Sequence, residues 1–249
     1  MRILLTISYD GTDFCGYQVQ PNKRTVESEL NDAIYKITGE RVKSIASGRT
    51  DSGVHALGQM VHFDTSSAIP PKNFKSALNS VLPSDIRVTN SKKVNEEFNA
   101  RYSAKEKTYV YSLYYGDENP IKSRYKTYLK ITPDVNKMKE ACKVLEGTHD
   151  FKCFLASGSS VKDTVRTIYS IKIIKVGKDI DIKVSGNGFL YNMVRIIVGT
   201  LIGVSEGKIS LKDIETALVS GDRKKVGKTM PPQGLCLYSV SYSNKVQQK

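Results

Sequence analysis

Ser47-Gly48-Arg49-Thr50-Asp51-Ser52-Gly53-Val54-His55-Ala56-Leu57-Gly58 is the stretch from which the rest of the chain can be read. An apolar pair, Ile45-Ala46, precedes it, and a second strand pattern, Met60-Val61-His62-Phe63, follows, so it reads as strand, loop, strand. Gly48 and Gly53 allow a sharp turn that presents the single carboxylate, Asp51, at the loop's tip. Arg49 or another nearby cation would keep that acid ionised, because an opposite charge within a few ångströms favours the charged form. On local composition alone, an Asp between glycines is more often a turn or capping residue than a catalyst. The Gly48 to Gly53 spacing fits half of a phosphate-binding loop, but Val54-His55 stands where Lys-Ser/Thr is required.

Working outward, the N-terminal side supplies a strand from about Arg2 to Tyr9 and a polar loop, Tyr9-Asp10-Gly11-Thr12-Asp13-Phe14-Cys15-Gly16-Tyr17-Gln18. Thr25 then caps a helix with Val26, Leu30, Ala33, Ile34 and Ile37 on one face, ended by Gly39. After the Asp51 loop and its second strand, Pro70-Pro71 opens a helix carrying Phe74, Ala77, Leu78 and Val81. A strand near Ile86 to Val94 closes this half. Its order is strand, helix, strand, strand, helix, strand.

The second half is expected to repeat that order. Lys107 to Tyr115 alternates as a strand, and Met138, Ala141, Cys142 and Leu145 form a helix stripe ended by Gly147. Strands over about 165–176 and 180–185 join at Gly177-Lys178. An apolar helix over about 189–204, a shorter one over about 211–219, and a strand near 235–242 complete the half. These elements predict an α+β fold of two related units, 1–104 and 105–249, with mainly antiparallel sheets. The apolar run at 194–204 contains a G-x-x-x-G spacing but is too short to span a bilayer, so it reads as a buried helix. Arg195 within it needs an anion, and Asp51 is the expected partner.

The formal charge of +13 is unevenly spread. Residues 1–104 hold 13 Lys and Arg against 11 Asp and Glu, whereas residues 105–249 hold 25 against 14. Charge alone is as compatible with a solvated surface as with a polyanion. Four scattered cysteines and three histidines, without C-x-x-C spacing, indicate neither a disulfide framework nor a metal site. A strand at the very start of the sequence, in place of a charged and apolar leader, gives the expectation of a cytoplasmic protein.

Ser-Gly-Arg-Thr-Asp-Ser-Gly-Val-His-Ala, continued by Gly58-Gln59-Met60-Val61-His62-Phe63, closely resembles the active-site motif of the tRNA pseudouridine synthase A family. The family usually has Ala at the position of Ser52, and more often Trp at that of Tyr17. Phe98-Asn99-Ala100-Arg101-Tyr102-Ser103-Ala104 with Thr108-Tyr109-Val110-Tyr111, and Gly188 to Arg195, resemble further motifs. The likeness covers nearly the whole chain and implies two α+β halves meeting at a central catalytic cleft. It implies an isomerase that converts uridine to pseudouridine at about positions 38 to 40 of the tRNA anticodon stem-loop, acting as a homodimer with no cofactor, metal or membrane. By resemblance Asp51 is the catalytic nucleophile, Arg195 its ion-pair partner and Tyr109 the ring that stacks on the target base. Arg49 is a candidate for filling the vacated base position or gripping phosphate. From the residues alone, attack by Asp51 and proton removal both remain open. Two other classes fit parts of the pattern: an RNA-binding protein without catalysis, and a hydrolase. The second normally needs another acid or a metal, and no second carboxylate adjoins Asp51 in sequence.

Overall fold

A computed structural model describes residues 1–158 and 161–243. In chain order the elements are β1 (Arg2–Tyr9), α1 (Val26–Thr38), β2 (Ile45–Ala46), β3 (His55–Asp64), α2 (Phe74–Asn79), β4 (Ile86–Val94), β5 (Ala104–Tyr115) and β6 (Thr127–Leu129). They continue with α3 (Val135–Leu145), β7 (Gly147–Asp150), β8 (Val165–Val176), β9 (Asp179–Gly186), α4 (Met193–Ser205), α5 (Leu211–Ser220) and β10 (Leu235–Tyr242). The described chain divides into two compact units: Met1–Lys107 together with residues 236–243, and Thr108–Leu235. A simple split at 104/105 would leave the last strand with the second half. The structure instead places it in the first unit, because Cys236 and Leu237 pair in parallel with His55 and Ala56 of β3. Such a long-range pairing leaves no local trace in sequence.

In the first unit the strand order is β4-β1-β3-β10, with β2 also on β3. β1 is antiparallel to both β3 and β4, with Ile3 opposite Phe63 and Leu4 opposite His62. Since strand side chains alternate between faces, those two registers define the two sides of the sheet. On one side Phe63 meets the edge of Phe74 from α2, ring centroids 5.5 Å apart. On the other, Leu4 joins Val94, Phe98, Ala100 and Tyr242 in a buried cluster. α1 is framed as its sequence predicts. The Thr25 hydroxyl accepts from the Ser28 amide, Ser28 returns the bond, and Gly39 ends the helix at φ +74°. The second helix is shorter than its pattern: Pro71–Asn73 form a 3-10 turn before α2, and Val81 falls beyond it.

In the second unit the order is β5-β9-β8-β7, with β6 parallel to β5. β8 and β9 are antiparallel and joined by the two-residue turn Gly177-Lys178, where Gly177 has φ +59°. β6 and β7 are additions to the expected order, each too short to show a period. α4 is buried on almost every side. It begins at Met193 rather than near 189, because Asn192 adopts a left-handed φ of +61° that a helix cannot continue through. At Gly199 a β-carbon would stand 1.9 Å from the Lys228 carbonyl oxygen, so this helix does pack backbone to backbone at its glycine. The fold is thus α+β with mainly antiparallel strands. Among the described residues no helix is long and apolar enough to cross a membrane.

His62 is buried on the cluster side, and its Nδ1 accepts the Ala100 amide at 3.1 Å. Burial, with the Arg2 charge nearby, pushes its pKa below the ordinary 6.5. The unfolded chain therefore binds the proton more readily, and stability present above pH about 6.5 is lost as the pH falls through the folded value. Thermal unfolding followed between about pH 7 and pH 5 should show the melting temperature dropping on acidification, and His62→Gln should flatten that dependence.

Candidate active site

The loop between β2 and β3 is fixed at its base. The Ser47 amide donates to the Met60 carbonyl at 2.7 Å, its hydroxyl donates to Gln59 Oε1 at 2.6 Å, and its carbonyl accepts from Lys107 Nζ at 2.6 Å. Gln59 Nε2 donates in turn to the Gly48 carbonyl at 2.8 Å. Gln59 is fully buried within a strand, so an amide that answers loop groups on both ends is the way such a polar side chain is tolerated.

At the tip, the Val54 amide donates to the Asp51 carbonyl at 3.1 Å, closing a tight turn. Gly53, with φ +78°, takes the third position, which a type II turn reserves for glycine. Asp51 is partly buried, between buried Thr50 and exposed Ser52. Arg49 is exposed and, among the described residues, has neither a hydrogen-bond nor an ion-pair partner, so its guanidinium remains available to an incoming anion.

The polar loop after β1 seats this tip. Tyr9 OH and Thr50 Oγ1 are 2.7 Å apart, the Tyr17 amide donates to the Thr50 carbonyl at 3.0 Å, and the Ser52 hydroxyl donates to the Phe14 carbonyl at 3.1 Å. Burial raises the Tyr9 phenol well above its usual value, so it stays neutral and able to donate. A β-carbon at Gly11 would lie 2.0 Å from the Val54 carbonyl oxygen. One at Gly16, which has φ +86°, would lie 3.0 Å from that of Thr50. Only glycine permits this approach. The Gly11 amide also donates to His55 Nδ1 at 3.0 Å.

In the second unit Tyr109 lies on β5, 9% exposed, with the ring of Phe189 edge-on at 5.3 Å. Two residues on, Tyr111 is fully buried; its hydroxyl sits 2.7 Å from Thr127 Oγ1 and donates to the Pro231 carbonyl at 2.7 Å. Tyr111 is therefore a core residue with its hydroxyl engaged. Arg195 stands in the first turn of α4. Its Nε donates to the Met230 carbonyl at 2.6 Å and its Nη1 to Asn192 Oδ1 at 2.5 Å, so neutral acceptors orient the guanidinium. The strained Asn192 backbone is what brings that amide oxygen within reach.

Tyr9, Thr50, Gln59 and Lys107 support the Asp51 loop, yet none announces this in sequence. Gln59 could have been suspected as a polar residue inside an apolar strand. Lys107 is one of 38 basic side chains and carries no local signal. Among the described residues no cluster of three His, Cys, Asp or Glu side chains could hold a metal ion.

A family model described as tRNA pseudouridine synthase matches residues 5–103 and 141–243. Curated relatives match across almost their full lengths. A tRNA pseudouridine synthase A 2 of Clostridium perfringens is 51% identical over 242 residues, covering 97% of this chain and 99% of that protein. The tRNA pseudouridine synthase A of Oceanobacillus iheyensis is 48% identical over 244 residues, covering 97% and 96%. That of Bacillus licheniformis is 46% identical over 247 residues, covering 98% and 100%. With two matched segments spanning well over half of the chain and full-length relatives near half identity, this chain belongs to the tRNA pseudouridine synthase A family.

Proposed function

We propose that this protein isomerises uridine to pseudouridine in the anticodon stem-loop of tRNA, at about positions 38 to 40, with Asp51 as nucleophile and no cofactor. The observation that carries the reading is the near-half identity to tRNA pseudouridine synthase A proteins along 97% of the chain. The chemistry suits the residues. The bond from the sugar carbon to N1 breaks, the base turns, C5 bonds to the same carbon, and the C5 proton is lost as N1 gains one. Nothing is oxidised and no group enters from outside, so a carboxylate and a proton relay suffice.

Asp51 rides on a loop whose backbone is pinned on both flanks, which favours a fixed attack geometry. Arg195 is the cation assigned to keep Asp51 ionised once substrate excludes water. Tyr109 packs against the turned-out base and relays the proton at C5 through its hydroxyl. The target base must leave its stack first, and Arg49, which has no hydrogen-bond or ion-pair partner among the described residues, is suited to the vacated space or to a phosphate. The basic excess beyond residue 104 provides salt-sensitive attraction for the RNA backbone. The enzyme is assigned to the cytoplasm and to a homodimer in which one subunit helps position RNA for the other.

Asp51→Asn should reduce pseudouridine formation on unmodified tRNA by at least about 10³-fold while RNA affinity stays near that of the parent; undiminished turnover would remove Asp51 from the mechanism. Tyr109→Phe keeps the ring and is expected to lower kcat by about 10²-fold with little change in KM, whereas an equal loss in KM would make the hydroxyl a binding group. Light scattering should return twice the chain mass of 27.7 kDa, and a single-chain mass would exclude the dimer.

A further inference from the structure

The segment between β4 and β5 fixes its backbone and leaves two side chains idle. Phe98 and Ala100 are fully buried beneath it. The Phe98 carbonyl accepts from Arg2 Nη1 at 2.7 Å, the Ala100 amide donates to His62 Nδ1 at 3.1 Å, and the Ala100 carbonyl accepts from Tyr242 OH at 2.8 Å. Asn99 closes the tip on itself. Its Oδ1 accepts the amides of Arg101 and Tyr102 at 2.9 and 3.2 Å, its amide donates to Ser103 Oγ at 3.1 Å, and its carbonyl accepts the Ser103 amide at 2.9 Å.

On this pinned tip Tyr102 is 79% exposed, and the Arg101 guanidinium stands 5.7 Å from its ring centroid. Among the described residues neither side chain has a hydrogen bond or ion pair, whereas Arg2 and Arg24 of the same unit are tied to Asp64 and Asp85. The ring adds nothing to the core and the cation balances no carboxylate. A rigid backbone presenting an exposed aromatic ring beside a guanidinium that has no carboxylate partner among the described residues matches what an unstacked nucleotide binds: the base on the ring, the phosphate on the cation. Little ordering cost opposes the contact, because the segment is already held.

We propose that Arg101 and Tyr102 form a docking platform for an unpaired nucleotide of the RNA substrate other than the target uridine. The inference rests on the tRNA-modifying reading above and adds a contact to it. Neither residue is among those assigned to the chemical step, so the platform acts on affinity and leaves that step alone.

The experiment measures tRNA affinity, kcat at saturating tRNA and mass in solution for the parent, Tyr102→Ala, Tyr102→Phe and Arg101→Ala. Tyr102→Ala should weaken binding by about 5- to 150-fold, the span of a lost base stack, while Tyr102→Phe, which keeps the ring, stays within about twofold. Arg101→Ala should weaken binding and reduce the slope of log affinity against log salt by about one. Throughout, kcat and mass are expected to be unchanged. Unaltered affinity in Tyr102→Ala would overturn the platform, as would equal losses in Tyr102→Ala and Tyr102→Phe. A drop in kcat without weaker binding would do the same, and a change in mass would make the segment a subunit contact. A parent that binds tRNA but forms no pseudouridine would instead overturn the functional reading, and the affinity comparison would still judge the platform.

Discussion

At Gly11 and Gly16 two loops of the first unit meet backbone to backbone, and the placement of Asp51 depends on that meeting. β1 and β3 are antiparallel neighbours, with Thr6 opposite Met60 and Tyr9 opposite Ala56, so the loop leaving β1 and the loop entering β3 emerge at the same end of the sheet. Any side chain at Gly11 would drive into the Val54 carbonyl. Once the loops are in contact, Tyr9, Tyr17 and Ser52 bond across the seam. Each such bond is worth about 1 kcal/mol net, yet leaving the buried Tyr9 or Thr50 hydroxyl unpaired would cost more, and that asymmetry favours a fixed seam. A carboxylate on such a seam has little conformational freedom to lose when substrate arrives.

The tyrosines separate by what their hydroxyls do. Tyr9, Tyr111 and Tyr242 are buried, bonded and held neutral by burial, so each serves the scaffold as a packed ring with a polar latch. Tyr109 keeps an aromatic neighbour in Phe189 at the margin of burial. Tyr102 is exposed, with the Arg101 guanidinium over its ring. One residue type thus runs from structural pin to exposed face, and its environment alone decides which.

Arg195 illustrates how a charge is accommodated on an apolar helix. It stands in the first turn of α4, where a left-handed Asn192 and the Met230 carbonyl supply acceptors to a guanidinium that the rest of the helix could not satisfy. Further along, the helix carries no second charged side chain, the buried Thr200 hydroxyl is bonded on both sides, and Gly199 lets the chain at Lys228 cross it at backbone distance. The helix is therefore polar-serviced at one end and packed on all sides at the other.

Local rules carried much of this protein. The Thr25 cap and Gly39 stop, the Gly177-Lys178 hairpin, the buried glycine-bearing helix and the α+β class follow from periodicity and turn chemistry, which act between residues a few positions apart. The glycine-bounded Asp51 loop was equally legible, because its motif is contiguous. Tertiary structure alone decided that β10 returns to the first unit beside β3, that Asn192 delays α4, and that β6 and β7 exist at all. It also decided that Gln59 and Lys107 brace Ser47 and that Tyr102 stands exposed. Each of these depends on a partner far away in sequence or on a backbone angle imposed by packing, and no local pattern encodes which distant group will arrive.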